Sequence, residues 1–575
     1  MMRPALAGKK SLVAAAFAAN IAWGGVAAAQ AQPAVQPGAP SANQSGAQQP
    51  QQPPDCTPPI DPYKNYACLD AYLGDDPFAR LFNYYKLEWG QGTAPADPNA
   101  PASRRDGWPA TPETTPPMPY TEFPYGAATS IGVTRPNSVD SPLMTAIANT
   151  NLGKWLYNND FQFYGWVDPG FNVSTNSRNF GNAPIAYTVT PNTVQLDQFV
   201  LYLDRFPDTV QTDHIDWGMR ISALYGENYR YTNAYGIASW QFNGNNNWYG
   251  YDFPMVYGEL WIPQVADGLL IRVGRYISIP DIEAQLAPNN ILYTHSITYS
   301  WDNYTNEGIV ASWQLSKNWM VQTGLVDGTE TPPWHYNEKI PNIFVDDGNT
   351  DPLYPGKTLL KDPGNQIPTG VFCVRYESSD GNDVFYPCLD GINNGKWGYN
   401  NLQWHGFTYY HKFNDHWHID FESYFMNEDD VPNLRNAEAL DIFNNGGTPF
   451  SPQYVKFNSP NLAYCSNPAV LDCNAESVGV LSYINYTLDP LNNFTFRPEY
   501  YWDPQGWRTG TGGYTQYMEF TVGWQHWLSP QIEFRPEIGY WHSFHTAAYN
   551  GDLYTGTPGD RFTTVEFASD MIVHF

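Results

Sequence analysis

The stretch QIEFRPEIGYW, residues 531–541, limits the fold of this chain more than any other feature. Glu533, Arg535 and Glu537 alternate there with Phe534, Pro536, Ile538 and Tyr540. An echo at 494–503, FTFRPEYYWD, sets Arg497 and Glu499 between Phe496, Pro498 and Tyr500. Successive strand side chains point to opposite faces, so both segments read as strands with one ionised and one apolar face. WHIDFESYF continues the pattern, with Trp417, Ile419, Phe421, Ser423 and Phe425 against His418, Asp420, Glu422 and Tyr424. In MEFTVGWQ, Met518, Phe520, Val522 and Trp524 oppose Glu519, Thr521, Gly523 and Gln525.

An open sheet with such faces needs a cover for its apolar side, and no amphipathic helices are available to supply one. Lipid is the remaining cover. Backbone groups in hydrocarbon must be paired, so the sheet has to close on itself. The ionised face then lines water, and Phe534, Pro536, Ile538 and Tyr540 meet acyl chains. Arg or Lys on the lipid face at mid-membrane costs about 2–4 kcal/mol, which makes the register one-way. Pro498 and Pro536 each remove a ladder donor, which points to a bulge or a strand end.

Alternating segments recur from residue 160 onward. Strands are expected at 160–174, 194–206, 214–228, 252–262, 268–278, 307–316, 318–328, 398–413, 416–426, 477–488, 492–503, 514–527, 530–543 and 562–575. Short connections (206–214, 262–268, 315–319, 413–417, 488–494, 528–532) alternate with long ones (279–306, 329–397, 427–476, 544–561). Short turns on one side and long loops on the other are the habit of outer-membrane barrels. A strand at 288–303 would place short turns on opposite sides, so that segment reads as loop. The fold class is all-β: a closed antiparallel transmembrane β-barrel of about 14 strands, with about 16 as the alternative, and an irregular N-terminal extension.

The N-terminus has a basic start (Arg3, Lys9, Lys10), an apolar run from Ser11 to Val26, and small residues at Ala27–Ala31, which reads as a signal peptide over 1–31. A Gln/Pro/Ala-rich linker follows over 32–59, then an irregular extension over 60–158, either a periplasmic tail or a plug, with the barrel at 159–575. Short helices are expected within 75–89 and 141–156. In an exported chain the six cysteines favour the sequence-local pairs Cys56–Cys68, Cys373–Cys388 and Cys465–Cys473. No CxxC or clustered Cys/His spacing suggests a metal site, and no cofactor is expected. A net charge of −28 argues against nucleic acid as a partner.

The chain ends in FTTVEFASDMIVHF, where Val565, Phe567, Met571, Val573 and Phe575 share one face and Glu566, Asp570 and His574 the other. The series Met571, Val573, Phe575 resembles the terminal signal of proteins delivered to the barrel-assembly machinery, which with outer-membrane lipid is an expected partner.

LLIRVGRYISIPDIE (269–283), NEGIVASWQLSKNWMVQTGLVDG (306–328), the Arg-x-Glu strands and the Phe-ended last strand occur in the order of one family. Over 160–575 the chain resembles the OmpL-like β-barrel porins, the second β-barrel porin family. The resemblance implies a passive diffusion channel in the bacterial outer membrane for small hydrophilic solutes or ions. The N-terminal extension and the two long disulfide-bearing loops depart from it. A homotrimer is compatible by porin analogy, with no specific interface visible.

In general porins a loop near the third hairpin folds inward, and 279–306, also the third long-side connection, resembles it. Asp281 and Glu283 on that loop would face Arg220, Arg272, Arg497 and Arg535 on the wall, and such opposed charges set selectivity. The alternative has Asp281 and Glu283 capping a short helix, DIEAQLA, at the outer rim. Arg497–Glu499 and Arg535–Glu537 either line the constriction or pair across neighbouring strands, each pair bracing the barrel by about 0.2–1 kcal/mol. Gly274 leaves room for a loop side chain or marks a bulge. Trp313, Trp319, Trp404, Trp417, Trp524 and Trp527 are expected in interfacial girdles. Trp166 and Trp541 are candidates for stacking on sugar. The rival function is a barrel enzyme of protease or lipase type, for which His418 with Asp420 and Ser543 with His545 are the available pairs, each lacking a third group. A plugged, substrate-specific receptor is the third option. The expectation is a channel, not an enzyme.

Overall fold

The computed structural model describes residues 66–88, 131, 141–232, 237–238, 241, 248–277, 281–303, 305–329, 368–397, 401–439, 462–489, 491–510, 513–529, 531–552 and 557–575. The expected signal peptide (1–31), the linker (32–59) and Cys56 of the expected Cys56–Cys68 pair lie outside these residues.

Period-two segments become strands throughout. They are β1 (Phe161–Ser174), β2 (Val194–Arg205), β3 (Asp216–Gly226), β4 (Gly250–Asp252), β5 (Val256–Ile262), β6 (Leu269–Ile277), β7 (Thr305–Ser316), β8 (Trp319–Thr329) and β9 (Thr369–Glu377). The series continues with β10 (Asp383–Ile392), β11 (Gln403–Lys412), β12 (Trp417–Pro432), β13 (Asp472–Asp489), β14 (Asn492–Asp503), β15 (Thr515–Ser529), β16 (Ile532–Ser543) and β17 (Thr563–His574). Each pairs antiparallel with its neighbours, and β1 pairs with both β2 and β17, so the 17-stranded sheet closes on itself. β4 and β5 lie end to end against β3, interrupted at Pro254, which has no N–H for the ladder; they form one crossing.

The barrel therefore has 16 crossings, the alternative count, and not the 14 or so of the first reading. The two missed crossings are β9 and β10, within what reads as a single long loop at 329–397. Connection parity is blind to an inserted hairpin, because two crossings return the chain to the same side. A local signal was present: VFCVRYE alternates, SSDGND is a turn, and Cys373 and Cys388 are cross-strand partners joined as a disulfide. The second described disulfide, Cys465–Cys473, ties the β12–β13 connection to the start of β13.

The faces follow the alternation. In β16, Ile538 is 54% exposed and Tyr540 37%, whereas Arg535 and Glu537 are 1% and 3%. Pro498 and Pro536 sit in mid-strand without a register shift beside them, so the expected bulge or strand end is corrected. One ladder absorbs the missing donor: the β13–β14 pairs skip from Leu481↔Glu499 to Ile484↔Phe496 and resume in the same register, and the β15–β16 pairs do likewise around Pro536.

The C-terminus completes the seam. Phe575 N donates to Gly165 O and Gly165 N to Phe575 O, both at 2.8 Å. A Cβ on Gly165 would stand 2.7 Å from the Phe575 ring and 2.1 Å from Val200 O, so only glycine admits this approach.

In the N-terminal extension, the expected helix at 75–89 is α2 (Pro77–Glu88), preceded by α1 (Tyr66–Leu73). The segment 141–156 yields two helices, α3 (Pro142–Ile147) and α4 (Asn151–Asn158), because Thr150 accepts from Gly153 N at 2.9 Å and starts a new one, as Ser141 does for α3. Arg80 of α2 pairs with Asp70 at 2.5 Å and donates to Thr145 O at 2.8 Å. Tyr85 donates to His574 O, and Gln531 Nε2 to Tyr84 at 3.4 Å. α2 thus docks on the short-turn end of the barrel. Among the described residues, no helix is long and apolar enough to cross a membrane.

Candidate pore constriction

The β6–β7 connection turns inward. Every residue from Asp281 to Asn303 is buried, although the segment carries only short helical pieces at Ala287–Asn289 and Ile297–Ser300 (α5). A chain of this kind leaves backbone N–H and C=O groups that must find partners once buried. The wall provides them.

The two Arg-x-Glu strands are the main anchors. On β16, Glu537 Oε2 accepts Tyr293 N at 2.9 Å and Oε1 accepts Thr294 N at 3.2 Å. On β14, Glu499 accepts Ile297 N at 2.9 Å and also Thr298 N, the first amides of α5, where the helix end favours negative charge. The arginines take carbonyls. Arg535 Nη1 donates to Ala287 O and Asn290 O, each at 2.7 Å, and Arg497 donates to Thr294 O and, at 2.9 Å, to Thr294 Oγ1. Each guanidinium also keeps a carboxylate on the wall: Arg497 meets Glu519 at 2.6 Å, and Arg535 Nε meets Asp570 at 3.0 Å. Both arginines thus pair across neighbouring strands, with Glu519 and Asp570, while Glu499 and Glu537 turn to the loop amides, so the two strands form clamps that brace the wall and grip the loop.

Glu283 lies opposite Arg497, at 3.1 Å, and also accepts from Tyr483 and Ser296. The rim-helix alternative for Asp281 and Glu283 does not occur: the segment is buried and not helical. Asp281, expected opposite the arginine row, is found with two further carboxylates, Asp302 and Glu422. Arg220 pairs instead with Asp204 at 2.8 Å and Arg272 with Glu259 at 2.8 Å, in both cases the directly facing residue of the next strand. Tyr257 lies between these two arginines, 4.2 Å from the Arg272 guanidinium and 6.0 Å from that of Arg220.

The loop also reaches β2, where Tyr293 donates to Asp197 at 2.8 Å and Gln198 bonds Gln285 O and Ala287 N. At its far end Asn303 donates to Asp390 of β10 at 2.8 Å. The β1–β2 connection folds in beside it, with Trp301 Nε1 on Pro184 O at 2.9 Å and Tyr187 on Gln285 O at 3.2 Å.

Several partners were not singled out from sequence. Glu519, Asp570 and Glu422 were placed on the ionised faces, but which arginine or amide each meets depends on cross-strand register. Gly274, at φ +135°, makes room for neither a loop side chain nor a bulge: its Cβ would strike Val256 O at 2.2 Å, so it permits close approach of β5. Trp404 and Trp527 are buried in the interior, not in a girdle, and Trp527 stacks on His574; Trp319 and Trp417 are exposed at 47% and 45%. Trp166 and Trp541 also face inward and are buried. His418 Nε2 is 3.8 Å from Asp420, beyond hydrogen-bond distance, while Asp420 accepts from Asn485 at 2.8 Å, and Ser543 bonds Thr515 at 2.6 Å.

The family model described as "Putative beta-barrel porin-2, OmpL-like" matches residues 160–575. No curated protein matches the chain. Among solved structures, an anion-selective porin from Comamonas acidovorans is 9% identical with a TM-score of 0.41, covering 72% of this chain and 99% of that one. The outer-membrane channel DcaP of Acinetobacter baumannii is 10% identical with a TM-score of 0.40, covering 72% and 97%. OmpT of Vibrio cholerae is 7% identical with a TM-score of 0.37, covering 72% and 97%. Likeness at that level carries no weight beside the family match, which spans the whole barrel: the chain belongs to the OmpL-like β-barrel porin-2 family and is a porin of the bacterial outer membrane.

Proposed function

We propose that the segment 281–303 is the constriction of a passive channel for small hydrophilic solutes or ions. In this reading Arg497, Glu499, Arg535 and Glu537 hold the loop across the lumen. Asp281 and Glu283 supply its charge, and Arg220 and Arg272 line the wall beside it. The observation that carries the reading is the double clamp: two wall carboxylates each take a pair of consecutive loop amides, and the arginine two residues before each takes loop carbonyls. Charge-assisted hydrogen bonds are worth about 1.5–3 kcal/mol each, enough in sum to hold an irregular segment in one place.

Passage without a chemical step fits this geometry better than catalysis, since the arginines and glutamates of the two clamps are spent on wall carboxylates and on the loop backbone. The docking of α2 at the short-turn end supports the extension as a cap on the periplasmic mouth. The Phe575 seam supports Met571, Val573 and Phe575 as the signal read by the barrel-assembly machinery. The apolar outer face is suited to lipid, and a homotrimer is consistent with that face.

The test is a reversal-potential measurement across a salt gradient. Glu283→Gln together with Asp281→Asn shifts the cation/anion permeability ratio. An unchanged ratio rejects the loop as the constriction.

A further inference from the structure

The carboxylates Asp281, Asp302 and Glu422 come from the start of the inner loop, from its end, and from β12 on the wall. They are 4%, 0% and 1% exposed, and an oxygen from each lies within 4.8 Å of the other two. Such a group of anions needs either shared protons or a compensating cation, since buried carboxylates repel and are costly to desolvate. Elsewhere on the loop that charge is an arginine, as for Glu283. Among the described residues, neither Asp302 nor Glu422 makes an ion pair with Lys or Arg.

Their hydrogen bonding is half complete. Glu422 Oε2 accepts Ile282 N at 2.8 Å and Asp302 Oδ1 accepts Asn303 N at 2.7 Å. Glu422 Oε1 is buried with no hydrogen-bond partner among the described residues, and the second Asp302 oxygen faces another carboxyl, that of Asp281. Carboxyl oxygens brought together from different elements in this way are a set of hard donors for a cation.

We propose that Asp281, Asp302 and Glu422 bind one hard divalent cation of the Ca²⁺ class, which joins both ends of the inner loop to β12. The donors are all oxygen, which disfavours the metals that seek imidazole or thiolate. Ca²⁺ takes oxygens at about 2.3–2.6 Å in a flexible shell, so ligands on opposite sides stand up to about 5 Å apart; Mg²⁺ demands a tighter octahedron at about 2.0–2.1 Å. The observed spacing suits the larger ion, with water completing its shell. The sequence expectation of no metal rested on Cys and His spacing and could not see carboxylates separated by 21 and 120 residues in the chain. The site depends on where the loop lies, not on whether solutes pass it.

The test uses full-length protein in detergent, stripped with chelator and titrated with CaCl₂ by calorimetry. One saturable site is expected, with a higher unfolding temperature in Ca²⁺ than in chelator. Asp302→Asn and Glu422→Gln lose that site, while Glu377→Gln, a carboxylate on β9 outside the cluster, keeps it. Because these variants can misfold, wild-type protein is also titrated with Tb³⁺, whose emission is sensitised by tryptophan; Trp301 is adjacent to Asp302. Sensitised emission that Ca²⁺ displaces supports the site. A wild-type titration with no saturable site, Ca²⁺ binding equal in folded variants, or no displaceable Tb³⁺ emission overturns it. Failure of the permeability test in the preceding section leaves these readouts unaffected.

Discussion

Four of the buried arginines on the lumenal face divide into two kinds. Arg220 and Arg272 face Asp204 and Glu259 directly across the ladder, and their ion pairs brace neighbouring strands. Arg497 and Arg535 also hold wall carboxylates, but their remaining donors cross to the loop. The difference lies two residues on. Arg497 and Arg535 are followed at i+2 by Glu499 and Glu537, on the same face and able to take loop amides; Arg220 is followed by Ser222 and Arg272 by Gly274. A lumenal arginine is thus not by itself a constriction residue. The spacing Arg-x-Glu is not sufficient either: on β9, Arg375 and Glu377 pair with one another at 2.5 Å, whereas on β14 and β16 the arginine is held by a carboxylate of the next strand and the glutamate is left for the loop amides.

Breaking both clamps should have the largest effect. Removing one partner of a buried pair costs about 3–5 kcal/mol, and Arg497→Ala with Arg535→Ala does so twice. We expect the unfolding temperature in detergent to fall further than on loss of any single ion pair, and the conductance of the surviving barrels to rise severalfold. Arg220→Ala costs about 3–5 kcal/mol once, leaving Asp204 without its cation, and should leave conductance near wild type. A conductance rise equal to that of the double variant would erase the distinction between the two kinds of arginine.

Cys373→Ser with Cys388→Ser opens a 15-residue separation within the β9–β10 hairpin. A loop of that size is worth about 3 kcal/mol, so thermal unfolding should occur earlier while conductance holds. The smallest change is the single variant Glu499→Gln, which keeps one oxygen for one loop amide and turns an N–H toward the other. One buried amide without an acceptor costs about 1–3 kcal/mol, so the loop should flicker more, read as current noise, with little change in mean conductance.

Much of the wall was legible because its physics is local. Alternation at 531–541 assigned Arg535 inward and Ile538 outward, and lipid makes the opposite register costly. The β9–β10 hairpin was not legible from parity, which adds crossings only in pairs. Trp404 was misplaced because its strand carries aromatic residues on both faces, with Trp404 and Tyr410 inward and Phe407 between them partly outward, so aromatic content there does not fix the face. The inward course of the loop was expected from its resemblance, as the third long-side connection, to the inward loop of general porins. Its contacts were not, because Tyr293 meeting Glu537 depends on an aperiodic conformation and on which wall residues the register brings opposite it.

Whether two Arg-x-Glu strands hold a loop across the lumen is tested most directly by single-channel recording in a planar bilayer. Wild type should give discrete steps, Arg497→Ala/Arg535→Ala clearly larger ones in the same salt, and Arg220→Ala steps of wild-type size. Equal steps from wild type and the double variant, or no steps from the folded wild-type barrel, would contradict the double clamp.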